Sequence, residues 1–175
     1  MNNTLILTVC APDSPGIISR ISGIVTDGGG NWLESRLARL GGQFAGIVRV
    51  ACENEPCADA LQKALASLSA EGIQVDCCTE GDISALPFTR CMKIDICGND
   101  RSGIVSQLTV AISQIGANVE ELETSIESAA MSGHPIFHAS GTVCLPDSVT
   151  DDTLVEIIEN LSDDLNVEIS TVLVD

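Results

Sequence analysis

The sequence has 175 residues, 45% of them hydrophobic, and sets eight Lys and Arg against 25 Asp and Glu for a formal charge of −17. That length suits one ordinary domain or two small ones, and that apolar share excludes wholesale disorder. With no basic stripe to neutralise phosphates, direct nucleic-acid binding is excluded and anionic membrane surfaces are disfavoured.

The charge is uneven. Residues 1–87 hold 5 basic and 10 acidic residues (−5), and residues 88–175 hold 3 and 15 (−12). No apolar run reaches the ~18 residues that a membrane helix needs. Met1-Asn2-Asn3-Thr4 places no basic segment ahead of an apolar one, so the expected location is the cytoplasm.

The first element is a strand in which Leu5, Leu7 and Val9 alternate with Thr4, Ile6 and Thr8. It runs through Cys10 into Asp13-Ser14-Pro15-Gly16-Ile17. Ile17, Ile21, Ile24 and Val25 then recur at helical spacing, and Gly28-Gly29-Gly30 ends that helix. A second strand opens at Asn31, and a third shows Phe44, Gly46, Val48 and Val50 on one face. Leu61, Ala64, Leu65 and Leu68 mark a second helix, and a short strand closes the series near Ile73–Thr79. Gly81–Thr89 has no periodicity and reads as a linker between domains at 1–80 and 90–175.

The second half repeats the first. Met92–Cys97 runs into Gly98-Asn99-Asp100-Arg101-Ser102-Gly103-Ile104, so an offset of 87 aligns Cys10 with Cys97, Asp13 with Asp100 and Gly16 with Gly103. The same offset aligns Gly29-Gly30-Asn31 with Gly116-Ala117-Asn118. Phe44 matches Phe137 and Leu61 matches Leu154 at offset 93, which places a six-residue insertion at Ser128–Pro135. Ile104, Leu108, Ile112 and Ile115 continue the first helix pattern, and Leu154, Ile157, Ile158 and Leu161 the second. The last strand falls near Val167–Val174. Each copy is therefore strand, helix, strand, strand, helix, strand. Two such copies predict an α+β protein of two ferredoxin-like βαββαβ domains, each an antiparallel four-stranded sheet with helices on one face.

The loop Asp13-Ser14-Pro15-Gly16 joins a strand to a helix. Asp or Ser is expected to cap that helix, with Pro in its first turn. The unpaired N–H groups and partial positive charge of a helix start also suit a ligand carboxylate. Plain capping and ligand capture both fit these residues.

The βαββαβ repeat, with Asp-x-x-Gly-Ile after the first strand and Gly-x-Asn opening the second, resembles the ACT domain. That module typically binds amino acids at domain interfaces. Asn31-Trp32-Leu33-Glu34-Ser35-Arg36-Leu37 with Leu40-Gly41 and Phe44 is similar to one branch, the tandem-ACT glycine cleavage system transcriptional repressors. Ser14 stands where that pattern has arginine, Ser102 where it has proline, and the second copy lacks Ser-Arg-Leu. The resemblance implies ligand contacts at Asp13, Ser14, Pro15, Gly16, Ile17 and Asn31, and at Asp100, Arg101, Ser102, Gly103, Ile104 and Asn118. Loop amides would take a carboxylate, and Asp13, Asp100 or the Asn amides an ammonium. The ligand would be a small amino acid, glycine or serine-like, bridging two domains. The protein would be a non-enzymatic regulator acting through a protein partner, such as a DNA-binding regulator, or a stand-alone regulatory subunit of a metabolic enzyme. A homo-oligomer fits either reading.

No cofactor loop occurs, because Gly28-Gly29-Gly30 ends a helix instead of opening one. No catalytic residue and no metal site is expected. His134 and His138 would share a strand face, but no further ligand is identifiable beside them. The eight cysteines lack a C-x-x-C spacing and fall mostly in apolar strands, so reduced, buried or half-buried thiols are expected. Trp32 reads as core or interface filler. Asp152, Glu156, Glu159 and Asp163 form a solvated stripe opposite Leu154, Ile157, Ile158 and Leu161.

Overall fold

The computed structural model describes residues 3–81, 88, 90–128, 135–161 and 166–172, with the side chains of 167–172 outside that description. Its contacts divide into two units, Met1–Ser84 and Ala85–Asp175. Most of the expected linker at 81–89 lies outside the described residues, as do His134 and Asp163.

The first unit runs β1 (Thr4–Pro12), α1 (Ile17–Asp27), β2 (Asn31–Leu40), β3 (Gln43–Ala51), α2 (Glu55–Ala66), a 3-10 turn (Ser67–Glu71) and β4 (Gln74–Thr79). Its strands lie in the order β2-β3-β1-β4, and every neighbouring pair is antiparallel. Each helix joins two strands that run the same way with another strand between them, which is the split βαβ arrangement.

Alternation puts Leu5, Leu7 and Val9 of β1 on one face, where Ile17, Ile21 and Val25 of α1 and Leu61 and Leu65 of α2 cover them. Val48 and Val50 extend this core along β3, and Trp32 packs at its margin. Ala58 is the small buried residue of α2, whereas Ala64 is exposed, since it lies on the outward side of the turn that buries Leu61 and Leu65. Asn54 caps α2 by accepting from the Cys57 N–H.

The second unit repeats the plan with β5 (Arg90–Asn99), α3 (Ile104–Gln114), β6 (Asn118–Ser128), β7 (Pro135–Leu145), α4 (Asp151–Glu159) and β8 (Asn166–Val172), in the order β6-β7-β5-β8. Met92, Ile94 and Ile96 meet Leu108, Ile112, Leu154 and Ile158 in its core. Asp152, Glu156 and Glu159 are exposed along α4, as a solvated stripe requires.

Both first helices end in the same left-handed glycine motif. Gly29 (φ 76) and Gly116 (φ 75) follow the cap, and the next N–H groups, of Gly30 and Ala117, reach back to the carbonyls of Val25 and Ile112. The hairpins differ. Leu40 pairs with Gln43 across the two-residue turn Gly41-Gly42, and Glu127 pairs with Ile136 across eight residues. The insertion therefore sits in the second hairpin.

One expectation about the cysteines is corrected. Cys91 and Cys144 face each other across β5 and β7, with Cα atoms 4.0 Å apart, and form a disulfide. Their separation of 53 residues hides a pairing that only the strand register creates. Cys10 and Cys78 are exposed, and Cys52, Cys57, Cys77 and Cys97 are half-buried. Non-reducing peptide mapping of protein purified in air is expected to recover Cys91 linked to Cys144 and no other pair.

Glycine substitutions test the backbone. Gly23 lies on the exposed side of α1, where an added Cβ meets nothing within 4 Å. Gly23→Ala is expected to stabilise the first unit by up to about 1 kcal/mol through lost unfolded-state freedom. Gly103→Ala also has open space, but its φ of 84 is left-handed. It is expected to cost the second unit roughly 1–2 kcal/mol. Urea unfolding of the two variants checks both signs.

Candidate functional site

In the first unit, β1 delivers the chain to one end of the sheet, and Asp13–Gly16 turns it back into α1. The Asp13 N–H donates to the Gly42 carbonyl at 2.9 Å, so the loop is pinned to the β2–β3 turn. Gly16 sits at the cap position with φ 96, and no side chain caps the helix. The expected cap by Asp13 or Ser14 is thus not formed: the left-handed Gly16 holds the cap position, and the Asp13 carboxylate meets Arg39. The first-turn N–H groups of α1 have no intrahelical partner.

These residues border a hollow of about 400 Å³ lined by Asp13, Ser14, Pro15, Gly16 and Ile17 with Arg20, Glu71, Gly72 and Ile73 across from them. Arg20 Nη2 lies 2.6 Å and Nε 3.0 Å from the two oxygens of Glu71, a bidentate pair at the rim. The hydrogen bonds to Arg20 hold the Glu71 carboxyl below its ordinary range, and those to Glu71 raise the Arg20 guanidinium. Arg39 reaches the Asp13 carboxylate at 3.4 Å from the end of β2.

The second loop makes the same left-handed turn with different walls, and its Arg101 carbonyl accepts from the Ile104 N–H at 3.3 Å. The Asp100 N–H donates to the Pro135 carbonyl at 3.0 Å, and Gly103 again takes the cap position in the left-handed region with no side-chain cap. Its hollow of about 420 Å³ is lined by Asp100, Arg101, Gly103 and Ile104 with Val105, Thr124, Ser125, Ile126 and Phe137. Arg101 donates to the Gln107 side chain and, at 3.1 Å, to the Leu161 carbonyl. Ser102 does not line the hollow.

The two asparagines fall elsewhere. Asn31 pairs with Ala51, which pairs with Thr4, whereas the loop leaves from Pro12 at the far end of the same sheet. The nine positions from Asn31 to Leu40 span roughly 30 Å. Asn118 likewise pairs with Cys144, opposite Cys91, and not with the Asp100 end. Within a unit, therefore, the loop residues come together and the asparagine does not join them. A sequence offset aligns the two copies with each other but carries no information on which end of a sheet a residue occupies.

Two further clusters lie on the helix-free face of the second sheet. Cys97 Sγ is 3.9 Å from His138 Nε2, and Glu127 lies 4.0 Å from the same nitrogen. A relay needs the carboxylate on the other ring nitrogen, so this geometry does not activate the thiol. Burial pushes the Cys52 and Cys77 thiols up to about 11, which keeps both protonated at neutral pH. The second cluster joins Cys91, Cys144 and Glu120, whose ligand atoms lie within 4.8 Å of one another. Sequence reading missed it because Glu120 arrives through a bulge in β6, and a bulge leaves no mark in a period of two.

The sequence model of the ACT domain matches residues 3–77. Those residues make up most of the first unit. The second unit repeats that fold strand for strand. ACT domains are regulatory modules that bind small molecules, typically amino acids. No curated protein matches the sequence. Among solved structures, an unknown protein from Galdieria sulphuraria is 26% identical, with a TM-score of 0.82 over 99% of this chain and 100% of that one. A candidate glycine cleavage system transcriptional repressor is 16% identical, with a TM-score of 0.70 over 98% of each chain, a likeness of fold. No helix among the described residues is long and apolar enough to cross a membrane.

The Arg20–Glu71 pair at the rim of the first hollow yields a titration test. A carboxyl held low adds stability above its unfolded pKa, and that stability is lost as pH falls through the lower folded value. Arg20→Gln is expected to return the Glu71 carboxyl to its ordinary range, read by carbon NMR titration. The stability change should be small, because both side chains are about half exposed.

Proposed function

We propose that the protein is a non-enzymatic, cytoplasmic amino-acid sensor built from two ACT units, similar in role to a glycine cleavage system transcriptional repressor. Its ligand is a small amino acid, glycine or serine-like. The observation that carries this reading is the pair of strand-to-helix loops. Each has a left-handed glycine at the cap, an uncapped helix start and a hollow of about 400 Å³ in front. The helix dipole supplies only ~0.3–1 kcal/mol per charge, so loop N–H groups must hold the carboxylate by charge-assisted hydrogen bonds. Asp13 and Asp100 supply the opposite charge for the ammonium.

Binding becomes a signal only where the ligand favours one arrangement of the protein over another. With −17 overall and no basic cluster, the reading output is a protein partner, such as a DNA-binding regulator, and not DNA itself. Calorimetry with glycine, serine and alanine tests this. Binding at millimolar or lower concentration is expected. Asp13→Asn and Asp100→Asn should each weaken one site by about tenfold or more, the size of a lost charged hydrogen bond. No heat from any small amino acid, or sequence-specific DNA binding by the purified protein alone, overturns the reading.

A further inference from the structure

Cys91 and Cys144 are buried and face each other on the side of the second sheet that the helices leave open. Glu120 reaches the same place from β6. Val119 pairs with Val143 and Glu121 with Thr142, so Glu120 is the extra residue of a bulge. A bulge re-aims a side chain, and here the Glu120 carboxylate lies 3.5 Å from Cys144 Sγ. A disulfide sulfur carries no proton and gains nothing from a carboxylate against it. Two thiolates and a carboxylate within 4.8 Å, by contrast, make a donor set for a cation.

We propose that Cys91, Cys144 and Glu120 form a binding site for a thiophilic divalent cation of the zinc type, opened by reduction of the Cys91–Cys144 bond. An external dithiol supplies two electrons and two protons to the paired sulfurs. The sulfur–sulfur bond breaks to two thiols, and the dithiol becomes a disulfide. The cation then displaces both thiol protons to solvent and takes two sulfurs and one carboxylate oxygen. A water completes the tetrahedron. Soft sulfur donors select zinc or its analogues over magnesium and calcium. The same two sulfurs cannot bond each other and hold a metal, so oxidation and metal binding exclude one another. Thiols are normally kept reduced in the cytosol, which is the state that opens the site.

The probe is Co²⁺, whose bond to thiolate gives a charge-transfer band in the near ultraviolet. The full-length protein is reduced, freed of reductant without air and titrated. One equivalent is expected to raise the band, Zn²⁺ to bleach it, and the air-oxidised protein to show none. Cys144→Ser and Cys91→Ser should abolish the band while the circular dichroism stays unchanged. Cys97→Ser should leave it intact. Glu120→Gln should weaken binding by at least about tenfold, since even residues that only support a metal ligand cost that much. A reduced protein without the band, a band that survives both Cys91→Ser and Cys144→Ser, or an affinity untouched by Glu120→Gln overturns the proposal.

Discussion

The reversal at Gly16 and Gly103 governs both the fold and the candidate site. β1 lies between β3 and β4, and β5 between β7 and β8, so each central strand must leave the sheet at its end. The chain then has to lie back across one face to cover Leu5, Leu7 and Val9, or Met92, Ile94 and Ile96. A left-handed residue makes that turn in one step, and glycine does so without a Cβ penalty. Because glycine occupies the cap position, no side chain satisfies the helix start. The turn that closes the core is therefore also the turn that leaves the helix start without a side-chain cap.

The two hollows show how a duplicated site diverges. The cation stays at the rim but changes its anchor. In the first unit it is Arg20 on the helix, held by Glu71. In the second the matching helix position is Gln107, and the arginine sits on the loop at position 101, where Gln107 accepts from it. Arg39, which meets Asp13, is matched by Ile126, an exposed apolar residue beside Phe137. The second hollow is thus more apolar than the first, although the same left-handed turn frames both. Repetition preserved the helix start, which only backbone can supply, and left the walls free to change.

The open face of the second sheet holds what the core does not need. Along β5, Met92, Ile94 and Ile96 point to the helices, while Cys91, Lys93, Asp95 and Cys97 point away. Register then decides partners: Cys91 meets Cys144, and Cys97 meets His138. Glu120 and Glu127 approach these two pairs from opposite ends of β6. One pair is buried with a carboxylate against it, and the other is half-exposed.

The elements, their order, the repeat and the core faces were legible in the sequence because each is written in local periodicity, two for strands and 3.6 for helices. The six-residue insertion was legible for the same reason: equivalent residues shift by a countable number. Ala64 was misplaced because helical spacing gives a stripe but not its edges. The failed cap by Asp13 or Ser14, the removal of Asn31 and Asn118 from the loops, the Cys91–Cys144 bond and the approach of Glu120 were not legible. Each depends on which residues stand side by side after strands far apart in sequence pair, and on a bulge that shifts that pairing by one. Local preference settled what each segment would become, and the register between segments settled which side chains meet.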